Sequence, residues 1–120
     1  MIYPRCMVAT ILVVDDEKNI RRTLRMVLEG AGFNTREAAS AEECLEQLQG
    51  HEIDLVILDV RLPKMSGIEA LPRIRELLPS TPVVLITAYA DVRQAVAAVK
   101  SGADDYLSKP IDLEELKIAV

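Results

Sequence analysis

Short aliphatic runs alternating with segments of helical period limit most tightly how this chain can fold. Residues 10–14, 53–58 and 82–87 are almost continuously apolar and rich in Ile, Leu and Val, the pattern of strands buried on both faces. Residues 33–38 make a weaker, partly polar strand suited to a sheet edge, and 106–108 a short fifth strand. Between these runs the period changes. Ile20, Leu24, Val27 and Leu28 repeat at helical spacing, with Gly30 and Gly32 as the stop. Leu45 and Leu48 lie on a second helix that Ser40 can cap, with Glu43 completing a capping box. Ile68, Leu71, Ile74 and Leu78 mark a third helix, and Val92, Ala95, Val96 and Val99 a fourth, closed by Ser101-Gly102. Asp112 caps a last helix carrying Leu113, Leu116 and Val120. Such alternation predicts a parallel α/β sheet of five βα units in one doubly wound domain.

One residue disagrees with the third helix. Pro72 has no N–H for the bond back to Ile68. A local distortion there, or a helix beginning later than Gly67, is expected.

The size, 120 residues, suits one domain with a real core. Half the residues are apolar but only 3% are aromatic, so that core must be aliphatic. No stretch approaches the roughly 18 apolar residues of a membrane span. Residues 1–8 read as an N-terminal extension; with Pro4, Arg5 and no long apolar region they do not form a signal peptide. The domain is 9–120. Its last amphipathic pattern is unfinished at Val120, with no capping glycine or lysine-rich turn, so a longer protein with a C-terminal output domain is expected.

Composition also narrows the function. Cys6 and Cys44 form no C-x-x-C pair, and His51, in Gly50-His51-Glu52, is the only histidine. This argues against zinc and for two reduced thiols in a cytoplasmic protein. A net charge of −5 argues against direct nucleic-acid binding by this segment. Aromatic stacking platforms for single strands are missing too.

The chemistry lies at strand ends. In open parallel sheets, ligands bind beyond the carboxyl ends of the strands where strand order reverses. The first strand delivers Asp15, Asp16 and Glu17 there, the third Asp59, the fourth Thr87 and the fifth Lys109. Carboxylates gathered in a crevice suit a hard dication such as Mg²⁺, which takes one or two carboxylates and keeps several waters. Lys109 is a point charge for phosphate-like oxygens. Asp59 suits either a metal ligand or a nucleophile that forms an acyl phosphate. Each piece alone has a plain structural reading: a cap or turn for Asp15-Asp16, turn punctuation for Asp59 with Pro63 and Gly67, a strand end for Thr87, a loop for Lys109-Pro110. Four such pieces on four different strands are harder to dismiss.

Over nearly its whole length the chain resembles the receiver domain of two-component response regulators. The likeness rests on 13–17 (Val-Val-Asp-Asp-Glu), 58–67 (Leu-Asp-Val-Arg-Leu-Pro-Lys-Met-Ser-Gly), 86–89 (Ile-Thr-Ala-Tyr) and 102–110 (Gly-Ala-Asp-Asp-Tyr-Leu-Ser-Lys-Pro). A looser likeness to the NtrC type, which activates transcription with an ATPase module, rests on 87–90 and on 103–110 followed by Asp112-Leu113.

That resemblance implies a flavodoxin-like (βα)5 fold with strand order 2-1-3-4-5. It also implies that Asp59 accepts a phosphoryl group from a sensor histidine kinase. Asp15 and Asp16 would hold Mg²⁺ with Asp59 and the backbone carbonyl of Arg61. Lys109 would pair with phosphoryl oxygens, aimed by a cis Pro110. Thr87 would turn toward the phosphoryl group and Tyr106 would swing inward behind it, with small Ala88 leaving access to Asp59. The output surface would be the fourth helix, fifth strand and fifth helix, with Arg93, Ala97, Lys100 and Glu114 on its exposed face. Phosphorylation-dependent homodimerisation through it is a further expectation, as is an output domain carrying ATPase and DNA-binding functions. The domain would catalyse only its own phosphotransfer and a slow autodephosphorylation. Arg61 and Tyr89 occupy the positions that tune attack by water, and their bulk would shield the acyl phosphate unless both lie in solvent.

Three rivals fit less well. A haloacid-dehalogenase-type phosphatase wants an Asp two residues after its nucleophile, where this chain has Arg61. A degenerate receiver that only binds partners usually lacks an acid or the lysine, and none is lost. A dinucleotide-binding protein needs a Gly-rich loop after the first strand.

Overall fold

The computed structural model describes residues 8–87, 96–97, 100 and 102–108. In chain order the elements are β1 (Thr10–Val14), α1 (Lys18–Gly30), β2 (Asn34–Ala38), α2 (Ala41–Gly50), β3 (Leu55–Asp59), α3 (Gly67–Leu77), β4 (Val83–Thr87) and β5 (Asp105–Ser108). They build a parallel sheet of order β2-β1-β3-β4-β5. The expected fourth and fifth helices and the extension through residue 7 fall on residues outside this description, apart from helical positions 96, 97 and 100.

Strand alternation sends side chains to two cores. Leu12, Val14, Val56, Leu58 and Leu85 face a cluster shared with α2 and α3, while Ile11, Val13, Ile57 and Ile86 face α1 through Leu24 and Leu28. Helices therefore cover both faces of the sheet, which is why its inner strands read as unbroken aliphatic runs. Both cores are aliphatic. Cys44 is wholly buried in the first, and burial pushes its thiol up to about 12.

Three expectations need correction. The third strand is two residues later at its start and one later at its end than the 53–58 run. Ile53 is buried with the α2 and α3 cluster, and Asp54 is tied to Thr10 by two bonds, its carboxylate accepting from the Thr10 N–H at 2.7 Å. The ladder thus begins at Leu55 and ends on Asp59 itself. The third helix neither starts late nor stops at Pro72, which lies in its second turn. Ser66 and Glu69 form a reciprocal capping box that fixes the start at Gly67. With Ala70, Leu71 and Ile74 fully buried, one missing backbone bond at Pro72 is outweighed. Conversely, the box expected at Ser40 is only half made: Ser40 accepts from Glu43 N–H, but the Glu43 carboxylate takes the Ala39 N–H instead.

At the end of the sheet where β4 and β5 begin, Arg75 of α3 acts as a clamp. Its guanidinium donates to the carbonyls of Thr81 and Gly102 and to Asp104, whose carboxylate also accepts the Val83 N–H at 2.7 Å. That fastens the entries to both strands at one point. Val96, assigned by its spacing to an apolar stripe, is 42% exposed. No helix among the described residues is long and apolar enough to cross a membrane.

Candidate functional site

Register brings the acids together. Val14 pairs with Leu58, so Asp15 and Asp59 stand one step further along on adjacent strands. Asp59 pairs with Ile86, and the Val60 N–H donates to the Ile86 carbonyl at 2.8 Å, so the β3 exit runs beside the end of β4. Thr87 closes β4 opposite Ser108 of β5. Four strand ends thus converge on one edge.

Asp15 and Asp59 are the buried charged residues among those described, at 0% and 2% exposure. Burial of a carboxylate is costly without compensating donors. The two use the same local device. Asp15 Oδ1 accepts the Glu17 N–H at 2.8 Å, and Asp59 Oδ1 accepts the Arg61 N–H at 3.2 Å. Each aspartate is oriented by the backbone two residues on, the turn that Asp favours at a strand exit. The Arg61 side chain is exposed.

Carboxylate oxygens of Asp15, Asp16 and Glu17 lie within 4.8 Å of one another, the first buried and the other two exposed. Like charges this close repel by about 1 kcal/mol per pair even in water. An all-oxygen donor set with one rigid, buried member fits a hard cation such as Mg²⁺ or Ca²⁺, and it offers no soft ligand. Among the described residues, Glu17 belongs to this group and Asp59 does not. The sequence argument had brought Glu17 to the edge without assigning it to the metal set. The side chains of Thr87 and Tyr106 lie outside the described atoms, as do residues Ala88, Tyr89, Arg93, Lys109, Pro110 and Glu114.

Two supports escaped sequence reasoning. Gly67 N–H donates to the Val60 carbonyl at 2.9 Å, folding the 59–67 segment back on itself, and α3 starts against the exit of β3. Lys64 sits within that segment at φ 65°. Arg21, 11% exposed, donates through Nη1 to the Asp15 backbone carbonyl at 2.7 Å and through Nε to Glu37 at 3.1 Å. Arg25 completes a second pair with Glu37, and the Arg25 hydrogen bond, followed by that of Arg21, holds the Glu37 carboxyl below its usual range. An S-x-x-E signal at Ser66-Gly67-Ile68-Glu69 was available for the cap; nothing local marks Arg21 as different from Arg22.

An open polar groove of about 620 Å³ lies near the opposite strand ends, lined by Thr10, Asn34, Arg36, His51 and Glu52 among others. None of these residues is buried, so the strand-exit edge, with its two buried carboxylates, is the better candidate.

Comparison with known proteins agrees with the geometry. Residues 11–120 match the response regulator receiver domain family. The regulatory protein AtoC of Escherichia coli is 44% identical over 110 residues, covering 92% of this chain and 24% of AtoC. This chain spans about a quarter of the length of that curated relative. A receiver domain from Clostridium thermocellum superposes with TM-score 0.89 at 37% identity, covering 93% of this chain and 90% of the other. A Burkholderia pseudomallei response regulator, solved with a phosphorylated aspartic acid, a calcium ion and citrate, gives TM-score 0.86 at 32% identity, covering 92% and 65%.

Proposed function

The chain belongs to the response regulator receiver domain family, and from that premise we propose that Asp59 is its phosphoryl acceptor. The observation that carries this is the Asp59 carboxylate itself: buried at the last rung of β3, next to the end of β1, and oriented by the Arg61 N–H. A carboxylate oxygen of Asp59 attacks phosphorus of a phosphohistidine on a sensor kinase. The P–N bond breaks, the imidazole leaves and is protonated, and an acyl phosphate remains on Asp59. Such transfer is catalysed mainly by positioning and charge neutralisation.

Asp15 and Asp16, with Glu17 beside them, would hold the cation together with Asp59 and the Arg61 backbone carbonyl. A bound Mg²⁺ would neutralise the crowded carboxylates and the charge developing on the phosphoryl oxygens. The Burkholderia relative, solved with a phosphorylated aspartic acid and a calcium ion, supports an aspartate acceptor in a protein that takes a hard cation. Lys109, directly after β5, is the counter-charge, and Thr87 and Tyr106 form the switch. Phosphorylation adds nearly two negative charges, enough to bias a two-state threonine–aromatic pair.

The readout is the surface around the fourth helix, β5 and the fifth helix. Exposure of Ala97, Lys100 and the apolar Val96 supports that assignment. Likeness to AtoC, of which this chain spans about a quarter, supports a longer NtrC-type regulator; an ATPase and DNA-binding output domain, a cytoplasmic location and phosphorylation-dependent dimerisation belong to the same proposal. The domain itself turns over only its own phosphate, and Tyr89, with Arg61 folding over the phosphoryl group from its exposed position, slows its loss to water.

Acetyl phosphate labelling tests the reading. Mg²⁺-dependent label on the wild type that disappears in Asp59→Asn is expected. Label persisting in Asp59→Asn would move the acceptor elsewhere, and a wild type that never labels would make this a phosphate-independent binding module.

A further inference from the structure

We propose that Arg21 is a positioning residue: it sets the turn formed by residues 15–17, and with it the cation affinity of Asp15, Asp16 and Glu17. This rests on reading that cluster as the cation side of the phosphoryl-accepting site. The side chain of Arg21 ties the start of the turn, and its backbone N–H makes the ordinary helix bond to the turn's end. Arg21 N–H bonds the Glu17 carbonyl at 3.1 Å, and Arg21 Nη1 bonds the Asp15 carbonyl at 2.7 Å. The tie matters because α1 lacks the usual restraint: Glu17, its N-cap, makes no side-chain capping bond. Without a cap, the far end of the turn is fastened only by the helix and by the Glu17 N–H bond to Asp15 Oδ1, which leaves the Asp15 backbone to be set by Arg21.

The guanidinium is itself held from the sheet. Glu37 lies on β2 in register with Val13, and its Oε1 accepts from Arg21 Nε. Arg25 grips the same carboxylate from the next turn of α1. Asp15 N–H also bonds the Ala38 carbonyl at 3.1 Å, so the acid turn is joined directly to the end of β2. Glu37 touches none of the three cluster carboxylates in this chain of contacts; its influence passes through Arg21.

Electrostatics makes the assignment decidable. Considered only as a charge, a guanidinium beside three carboxylates opposes cation binding, and removing it would tighten the site. As a positioning group it pre-forms the site, and removing it weakens binding, by roughly tenfold if it behaves like other groups that orient metal ligands. The two roles predict changes of opposite sign.

Mn²⁺ binding to the full chain, followed by the EPR signal of the free ion, reads this directly in wild type, Arg21→Met and Glu37→Ala. Both variants are expected to bind Mn²⁺ about tenfold more weakly. Both should need correspondingly more Mg²⁺ for half-maximal acetyl phosphate labelling, with the rate at saturating Mg²⁺ returning to that of wild type. Tighter or unchanged Mn²⁺ binding in either variant overturns the proposal. If Arg21→Met does not fold, Arg21→Lys decides: it keeps the charge but loses the fork that reaches both the Asp15 carbonyl and Glu37, so weaker Mn²⁺ binding is expected and unchanged binding overturns the proposal. A wild type that binds no Mn²⁺ or accepts no label overturns the underlying reading of the cluster, which is a different result.

Discussion

Gly67 approaches the Asp59 carbonyl so closely that a Cβ at position 67 would lie 2.2 Å from that oxygen. The helix start is therefore seated directly on the acceptor's backbone, and the 59–67 loop is only as long as that contact allows. Gly67 is required for space, not for an unusual φ.

Gly67→Ala should then destabilise the domain by about 3 kcal/mol, the upper part of the range for overpacked sites, because the atom it meets is backbone and has no rotamer to escape into. Urea denaturation measures this. The same substitution should slow Asp59 labelling, since α3 can relieve the clash only by pushing on the acceptor. A loss below about 0.5 kcal/mol, within the range of neutral surface changes, would mean the helix slides freely.

Lys64, at φ 65°, occupies the left-handed region within the same loop. A non-glycine residue there costs roughly 1–2 kcal/mol, of which the greater chain entropy of glycine returns about 0.5–1. Lys64→Gly is expected to stabilise the domain by about 0.5 kcal/mol. An unchanged or lower urea midpoint would show that the lysine side chain makes a compensating contact.

Cys44 gives a pH-dependent term of known sign. Burial raises its folded-state value to about 12 from an ordinary 9.0. A group raised on folding contributes its full stability below the unfolded value and loses it as pH climbs toward the folded one. Between pH 9 and about 12 the unfolded thiol ionises while the folded one does not. Stability should fall by up to about 1.4 kcal/mol per pH unit over that window from this residue. In a Cys6→Ser background, Cys44→Ala should flatten the alkaline limb relative to Cys44, whatever its effect at neutral pH. Parallel limbs would assign the alkaline loss to other groups.

The strand positions and the shared edge of Asp15, Asp59 and Thr87 were legible because both have one-dimensional causes, whereas the order 2-1-3-4-5 came only with the family resemblance. Strands buried on two faces must be aliphatic throughout, so residues 10–14 and 82–87 announce themselves, and the first polar residue after each marks its exit. Register is different. The shift of β3 to Leu55–Asp59 came from the bonds between Asp54 and Thr10, a pairing across 44 residues that no local pattern carries. Seating of Gly67 on Asp59 and attachment of Arg21 to Asp15 are likewise products of the tertiary approach of α3 and α1. The late start weighed for α3 because of Pro72 fails for a related reason: the capping box and the buried Leu71 and Ile74 hold the element from Gly67 onward.

The acid cluster makes a final prediction with two opposite signs. Without metal, the fold holds the carboxylates of Asp15, Asp16 and Glu17 within 4.8 Å of one another, whereas in the unfolded chain these neighbours can turn apart and repel less. Asp16→Asn removes one of those charges from an exposed position and should raise metal-free stability by something under about 1 kcal/mol, the scale of exposed charge pairs. With Mg²⁺ the order reverses. A ligand that binds only the folded state adds RT ln(1 + [L]/Kd), about 1.4 kcal/mol at ten times Kd, to wild type and far less to a variant with a ligand missing. Thermal midpoints should therefore cross: Asp16→Asn above wild type in EDTA, below it in excess Mg²⁺. Raised NaCl should shrink the EDTA gap, because one partner is screened by solvent. Curves that stay in one order under both conditions would mean that the carboxylates are not competing for a shared cation, and that their crowding is relieved by the protein alone.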